Sequence, residues 1–389
     1  MPRAFHILVI LAVVSVGLLA GSAPAEPPAK ETKDAKYYNE VGLDFFKKGQ
    51  YDPAIANFTL AIKSDPKNAI AYHNRGYSYN NKKDYDRAIA DYDKALELNP
   101  KFAIAYSSRG LAYTNKKDFD KAMADYDKAL ELNPKLASTY DYRGSTYVLK
   151  KDYDKGLADF RQALELNPKL LMAHNNLGYA YYLKGDPDEA IAEYNKAINQ
   201  NPKIAMLYNN RGLAYYDKKE FDKAMADYNT ALKLDPSCFA CYNKQGLIHY
   251  DRKEYDKAIA AYDKAIQLAP DYTIAWNNRG LAFDRNKTYR KAITDYSQAI
   301  QLDPKYANAY NNRGLAYYHQ KAYDKALADF NQAIQLNPDL AEAYNNRAFV
   351  YYQQKAYQKA EEDVRQAQEL KFTVDPALLA NLQRVLVKK

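Results

Sequence analysis

From Ala35 onward the apolar residues fall on two helical stripes that recur every 34 residues. In the stretch that starts at Ala205, Tyr208, Gly212 and Tyr215 share one face with Arg211, at the i, i+3, i+4, i+7 spacing of a helix. Ala224, Tyr228, Ala231 and Leu232 make a second such face. The polar run Asp217-Lys218-Lys219-Glu220 separates the two, and Asp235-Pro236 ends the second, because proline lacks an N–H and disfavours a helical residue before it. Each stretch therefore predicts an antiparallel helical hairpin. Small residues where the stripes meet let the helices approach, and rings fill the space beside them.

The phase is marked by Gly42, Gly76, Gly110, Gly144, Gly178, Gly212, Gly246, Gly280 and Gly314, with Ala348 continuing the series, and by proline from Pro66 through Pro338. Counting each glycine as position 8 gives ten units: 35–68, 69–102, 103–136, 137–170, 171–204, 205–238, 239–272, 273–306, 307–340 and 341–374. A period this regular means stacked units rather than a globule. Glycine at 8, alanine at 20 and 27, aromatic residues at 4, 11 and 24, and proline at 32 resemble the tetratricopeptide repeat (TPR) over about 340 of the 389 residues. The resemblance implies an all-α, right-handed superhelical solenoid of antiparallel hairpins whose first helices line a concave groove. Departures are Gly156 at position 20, His174 at 4, His249 at 11, Val364 at 24 and Phe372 at 32. The last unit thus reads as an end unit, and 375–389 as a capping helix, amphipathic from Pro376 to Val387.

The start of the chain differs in kind. Arg3 precedes an apolar run from Ile7 to Ala20, and Ala23-Pro24-Ala25 offers a small-x-small cleavage pattern before Glu26. Residues 1–25 are expected to be a secretion signal and 26–34 a linker, with an uncleaved anchor as the alternative. So short an apolar run falls below the length of a comfortable membrane span. The mature chain is therefore expected to be exported, periplasmic or secreted, and to carry no membrane span.

Composition narrows the function classes. The chain is 47% apolar, 14% aromatic and 27% charged, enough to bury a core and keep a wet exterior. The net charge of +8 is spread along the sequence without a basic run, which argues against a nucleic-acid partner. The 39 tyrosines sit almost wholly at repeat positions and are read as packing rings. His6, His73, His174, His249 and His319 converge on nothing, and no phosphate loop or nucleophile motif appears, so neither catalysis, cofactor nor metal is expected. Cys238 and Cys241 have C-x-x-C spacing, compatible with a local disulfide or with buried thiols, and are too few for a zinc set.

Comparison among the units finds a pair. Arg75, Arg109, Arg143, Arg211, Arg279, Arg313 and Arg347 stand at position 7, and the same seven units carry Asp91, Asp125, Asp159, Asp227, Asp295, Asp329 and Asp363 at position 23. The other three have Val41 with Asn57, Leu177 with Glu193, and Gln245 with Ala261. Position 23 flanks the inward stripe, so each Arg is expected to bond the Asp of its own hairpin.

The remaining face of the first helix carries Asn175-Asn176, Asn209-Asn210, Asn277-Asn278, Asn311-Asn312 and Asn345-Asn346 at positions 5 and 6, with Asn243-Lys244 interrupting. An amide offers both donor and acceptor, so a spaced series can bond the main chain of an extended peptide. The arrangement resembles the asparagine-lined TPR groove of O-linked N-acetylglucosamine transferase, without a catalytic domain. Solvated helix-face residues are the alternative. The first four units differ, with Asn39-Glu40, His73-Asn74, Ser107-Ser108 and Asp141-Tyr142 there. The expected function is a non-catalytic scaffold for protein or extended peptide. Self-assembly in an envelope complex, or presentation of substrate to a separate enzyme, are the competing classes.

Overall fold

A computed structural model describes residues 34–386. The expected signal, nearly all of the linker, and Val387 lie outside the described residues. The chain divides into two compact units, one ending at Lys203 and one starting at Ile204. The first holds five hairpins: α1 (Ala35–Lys47) with α2 (Tyr51–Ser64), α3 (Ala69–Asn81) with α4 (Tyr85–Leu98), α5 (Ala103–Asn115) with α6 (Phe119–Leu132), α7 (Ala137–Leu149) with α8 (Tyr153–Leu166), and α9 (Leu171–Lys184) with α10 (Pro187–Gln200). The second pairs α11 (Ala205–Asp217) with α12 (Phe221–Leu234), α13 (Phe239–Asp251) with α14 (Tyr255–Leu268), α15 (Thr273–Arg285) with α16 (Tyr289–Leu302), α17 (Ala307–His319) with α18 (Tyr323–Leu336), and α19 (Ala341–Gln353) with α20 (Tyr357–Glu369), and ends in α21 (Pro376–Leu386). No strand occurs among the described residues. Each unit is a TPR-like solenoid of stacked hairpins.

Local chemistry sets the hairpin ends. Asp84, Asp118 and Asp152 cap α4, α6 and α8, accepting from the N–H groups of Arg87, Lys121 and Lys155. Before these caps the chain turns through left-handed backbone. Gly49 and Gly185 take that conformation freely, whereas Lys83, Lys117, Lys151, Lys219, Lys253, Lys287, Lys321 and Lys355 adopt it against their Cβ atoms. The turn is held by bonds such as Asp84 N–H to the Tyr79 carbonyl at 2.9 Å, the six-to-one closure of a helix end. Eight of the ten second helices stop at Asn- or Asp-Pro, where the residue before proline leaves the helical region, as at the extended Asp235; α14 stops at Ala269-Pro270 and α20 at Leu370 without a proline.

The core of every hairpin but the last is one ring set against one glycine. Phe58, Tyr92, Tyr126, Phe160, Tyr194, Tyr228, Tyr262, Tyr296 and Phe330 at position 24 are fully buried, as are the alanines at position 27. A Cβ on Gly280 would lie 2.6 Å from the Tyr296 ring, and one on Gly246 2.4 Å from Tyr262. The tenth hairpin tolerates Ala348 because Val364 replaces the ring. There α21 supplies the missing apolar volume, with Leu378 and Leu382 buried against Ala360, Val364 and Ala367. Gly280→Ala is expected to cost about 1–3 kcal/mol by overpacking, more than its better helix propensity returns. Combining it with Tyr296→Val should cost less than the sum of the two single changes by about 1 kcal/mol, a coupling that a denaturant double-mutant cycle reads directly.

Candidate peptide-binding groove

The structure brings each position-7 Arg together with the position-23 Asp of its own hairpin. In every case Nε and Nη2 donate to the two carboxylate oxygens at 2.6–2.8 Å: Arg75 to Asp91, Arg109 to Asp125, Arg143 to Asp159, Arg211 to Asp227, Arg279 to Asp295, Arg313 to Asp329 and Arg347 to Asp363. Each guanidinium also lies against the position-4 ring of its hairpin, as Arg279 does over Trp276. The remaining Nη1 reaches the hairpin before: Arg109 to Asp93, Arg143 to Asp127, Arg279 to Asp263, Arg313 to Ser297 and Arg347 to Asn331. Each of these residues thus closes a hairpin and staples it to its neighbour, and the second role was invisible in a comparison confined to single units. For Asp91, Asp125, Asp295 and Asp363, desolvation outweighs the adjacent guanidinium and holds the carboxyl above its usual range. Two of the three hairpins without the pair substitute other bonds, while in the first Asn57 bonds only the Pro53 carbonyl of its own helix. His174 meets Glu193 at 2.7 Å, and Gln245 keeps only the link to the preceding hairpin, through Asn229.

The amides on the free face of the first helices need a correction. They do not stand as separate rungs awaiting a ligand: the position-6 side chain of one hairpin donates to the position-5 side chain of the hairpin before. Asn74 bonds Asn39 and Asn176 bonds Asp141 in the first unit; Asn278 bonds Asn243, Asn312 bonds Asn277 and Asn346 bonds Asn311 in the second, all at 3.0–3.1 Å. His73 and Ser108 fill the same places at 3.0 Å. Within helices, Asn175 donates to Asn176, Asn209 to Asn210, and Asn345 to Asn346. The result is a zigzag spine. Asn175, Asn176, Asn243, Asn277, Asn278, Asn311 and Asn345 are buried, while Asn209, Asn210, Asn312 and Asn346 are half-buried.

Two atoms of the spine find no partner, and both follow from where it is cut. Asn345 Oδ1 belongs to the tenth unit, after which no further unit supplies a position-6 amide. Asn243 Nδ2 stands beside Lys244, which offers no carbonyl to accept it. Lys244 itself is buried, and desolvation lowers its ammonium to about 8, opposed by the charge of Asp217 on α11. A second row follows about two turns on: Tyr216 donates to Asp251 at 2.5 Å, and Arg285 to the Tyr250 hydroxyl at 3.1 Å.

In the first unit the face carries two other buried ionisable groups. Burial lowers His73 to about 4, partly offset by its bond to Asn74, so the ring is neutral. Burial raises the Asp141 carboxyl to about 7, against the bond from Asn176. Cys238 and Cys241 are joined as a disulfide at the start of α13, with Cys241 Sγ 3.5 Å from Asn209 Oδ1, the carbonyl that in other units receives the position-6 amide. No group of three His, Cys, Asp or Glu side chains suited to a metal occurs among the described residues.

Family patterns described as Tetratricopeptide repeat match residues 69–102, 103–136, 307–340, 209–273 and 340–369, and one described as TPR repeat matches 42–83, 144–185, 178–219 and 283–321. No curated protein matches the chain in sequence. Among solved structures, a tetratricopeptide repeat protein from Parabacteroides merdae ATCC 43184 is similar at 23% identity and a TM-score of 0.50, over 64% of this chain and 98% of that one. The anaphase-promoting complex hetero-tetramer Cut9-Hcn1 is similar at 16% identity and a TM-score of 0.51, over 90% of this chain and 96% of that one. At these identities the likeness concerns the fold.

Proposed function

Since this chain belongs to the tetratricopeptide-repeat family, we propose that it is a non-catalytic interaction scaffold that holds extended polypeptide along the free face of its first helices. The regular spacing of that face carries the reading. Amide, tyrosine and charged side chains recur every 34 residues, and half-buried Asn209, Asn312 and Asn346 keep amide surface that an extended main chain can meet with little regard to its sequence. The same reading places the mature protein outside the cytoplasm, beginning at Glu26. A disulfide between Cys238 and Cys241 suits an oxidising compartment. Among the described residues no helix is long and apolar enough to cross a membrane.

Because the asparagines also tie hairpins together, replacing them by alanine would confound binding with stacking. A photo-reactive phenylalanine at exposed Asn308, one turn before Asn312 on the same face of α17, is the cleaner probe, with one at exposed Lys325 on α18 as control. Cross-linking to a pool of amidated extended peptides is expected at Asn308 and not at Lys325. Equal yields at both would place binding away from the groove. The export part is tested by the mass of the secreted chain, which should correspond to a start at Glu26.

A further inference from the structure

We propose that the Cys238–Cys241 disulfide is a thiol–disulfide exchange site, which passes its bond to a pair of cysteine thiols on another polypeptide, with Cys238 as the sulfur attacked. The chemistry is stoichiometric, one bridge per chain, and does not depend on the groove. As a staple the bridge has little to hold. It runs from the N-cap of α13 to the first turn of the same helix and ties no two elements together. The entropy that a disulfide removes from the unfolded chain falls with loop length, and this loop is short. The same turn also forms without it. Tyr272, at the equivalent place before α15, has φ −78° and ψ 84°, against −66° and 79° at Cys238. The N–H of Ala275 meets the Tyr272 carbonyl at 3.0 Å, as that of Cys241 meets the Cys238 carbonyl at 3.1 Å. The bond therefore opens without asking the backbone to move.

The two sulfurs stand in unlike surroundings. Cys238 is half-buried, with exposed Pro236 and Ser237 just before it, whereas Cys241 is fully buried, so an incoming thiolate reaches Cys238. The Cys238 sulfur accepts the Cys241 N–H at 3.2 Å at the N-terminus of α13, a bond that favours the negative sulfur left by reduction. Cys241 Sγ lies 3.5 Å from Asn209 Oδ1; bridged, it has no proton to give, and reduced, it becomes a donor to that carbonyl. Both products of opening thus find a partner already in place. Stabilising the reduced form is what makes a disulfide oxidising. In the exchange, one substrate thiolate bonds Cys238 Sγ as the bridge breaks, and Cys241 leaves with the electron pair and takes up a proton. The second substrate thiolate then attacks the substrate sulfur of the mixed disulfide and expels Cys238. The substrate gives up two electrons and two protons: the electrons go to the two chain sulfurs, one proton to Cys241 and one to solvent. A substrate with two thiols closes this balance without a further reactant.

The test mixes the oxidised full chain near neutral pH with a short reduced peptide carrying two cysteines, quenches with acid, and follows both partners by mass spectrometry after alkylation. The peptide is expected to become oxidised about tenfold faster than with equimolar oxidised glutathione, whose sulfurs lack such partners. A single-cysteine peptide in excess should leave its mixed disulfide on Cys238. In glutathione buffers, Asn209→Leu should shift the equilibrium toward the disulfide by about fivefold, the worth of one hydrogen bond. A bridge that served only to hold the fold would not respond to that change, and its reduction would lower the melting temperature, which is expected to stay the same in the oxidised and reduced chain. Oxidation of the peptide no faster than by oxidised glutathione, or a mixed disulfide on Cys241, overturns the site. An equilibrium unchanged in a folded Asn209→Leu variant overturns the account of how the reduced form is held. None of these readouts needs peptide retained in the groove, so their failure leaves that reading standing.

Discussion

Asp329→Ala is expected to destabilise the second unit by about 3 kcal/mol, while the double change Asp329→Ala with Arg313→Met stays within about 1 kcal/mol of wild type. Arg313 gives two bonds to Asp329 and one to Ser297, with its side chain 19% and the carboxylate 9% exposed. Removing the aspartate strands a largely desolvated guanidinium beside a neutral hydroxyl, and removing both partners leaves an apolar contact in their place. A graded comparison sharpens the point. Asp295→Ala should cost less, because Arg279 keeps Asp263 at 2.6 Å. Denaturant melts, with hydrogen exchange in α17 and α18, read all three. Equal losses in the single and double Asp329 variants would show that the pair is not the source of the effect.

Asp141→Asn is expected to raise stability at pH 8 on the order of 2–4 kcal/mol and to change little at pH 4. Asp141 holds its proton in the folded chain up to about pH 7 because burial outweighs the bond from Asn176. An unfolded aspartate releases its proton near pH 4. Between those values the folded state binds a proton that the unfolded state does not, so the wild-type contribution is fully present below about pH 4 and lost as pH rises through 7. Asparagine has the same shape and keeps an acceptor for Asn176, without the charge. Melting temperatures of both proteins from pH 4 to 8 should converge at the acid end. Parallel curves would remove Asp141 as the cause.

Much of this was legible in the sequence because duplication repeats the experiment. Position 7 changed together with position 23 in unit after unit, and the structure brings Arg and Asp together in all seven hairpins that carry them. The glycine and the ring opposite it were both visible, although only the close approach of a hypothetical Cβ shows that they constrain each other. What could not be read were bonds between hairpins. Asn312 to Asn277 spans 35 residues, one more than the period, and that offset depends on how one hairpin settles on the next. The same ignorance left the third Arg bond unseen and made the amides look free. The left-handed lysines were missed for another reason: glycine marks such a turn at Gly49 and Gly185, but the local bonds that close the helix end hold the same backbone at residues that do not advertise it.

The spine also bears on how such a chain changes length. Its donors and acceptors recur in whole blocks of 34 residues, so excising a block splices one register onto an equivalent one. Deleting 239–272 would set Asn278 against Asn209, an amide against an amide, and heal the interruption at Lys244. Deleting 273–306 would set Asn312 against Asn243 and carry the interruption along intact. Two excisions of the same size therefore differ in kind: one shortens the array and erases the place where it departs from its own repetition, the other shortens it and keeps that place.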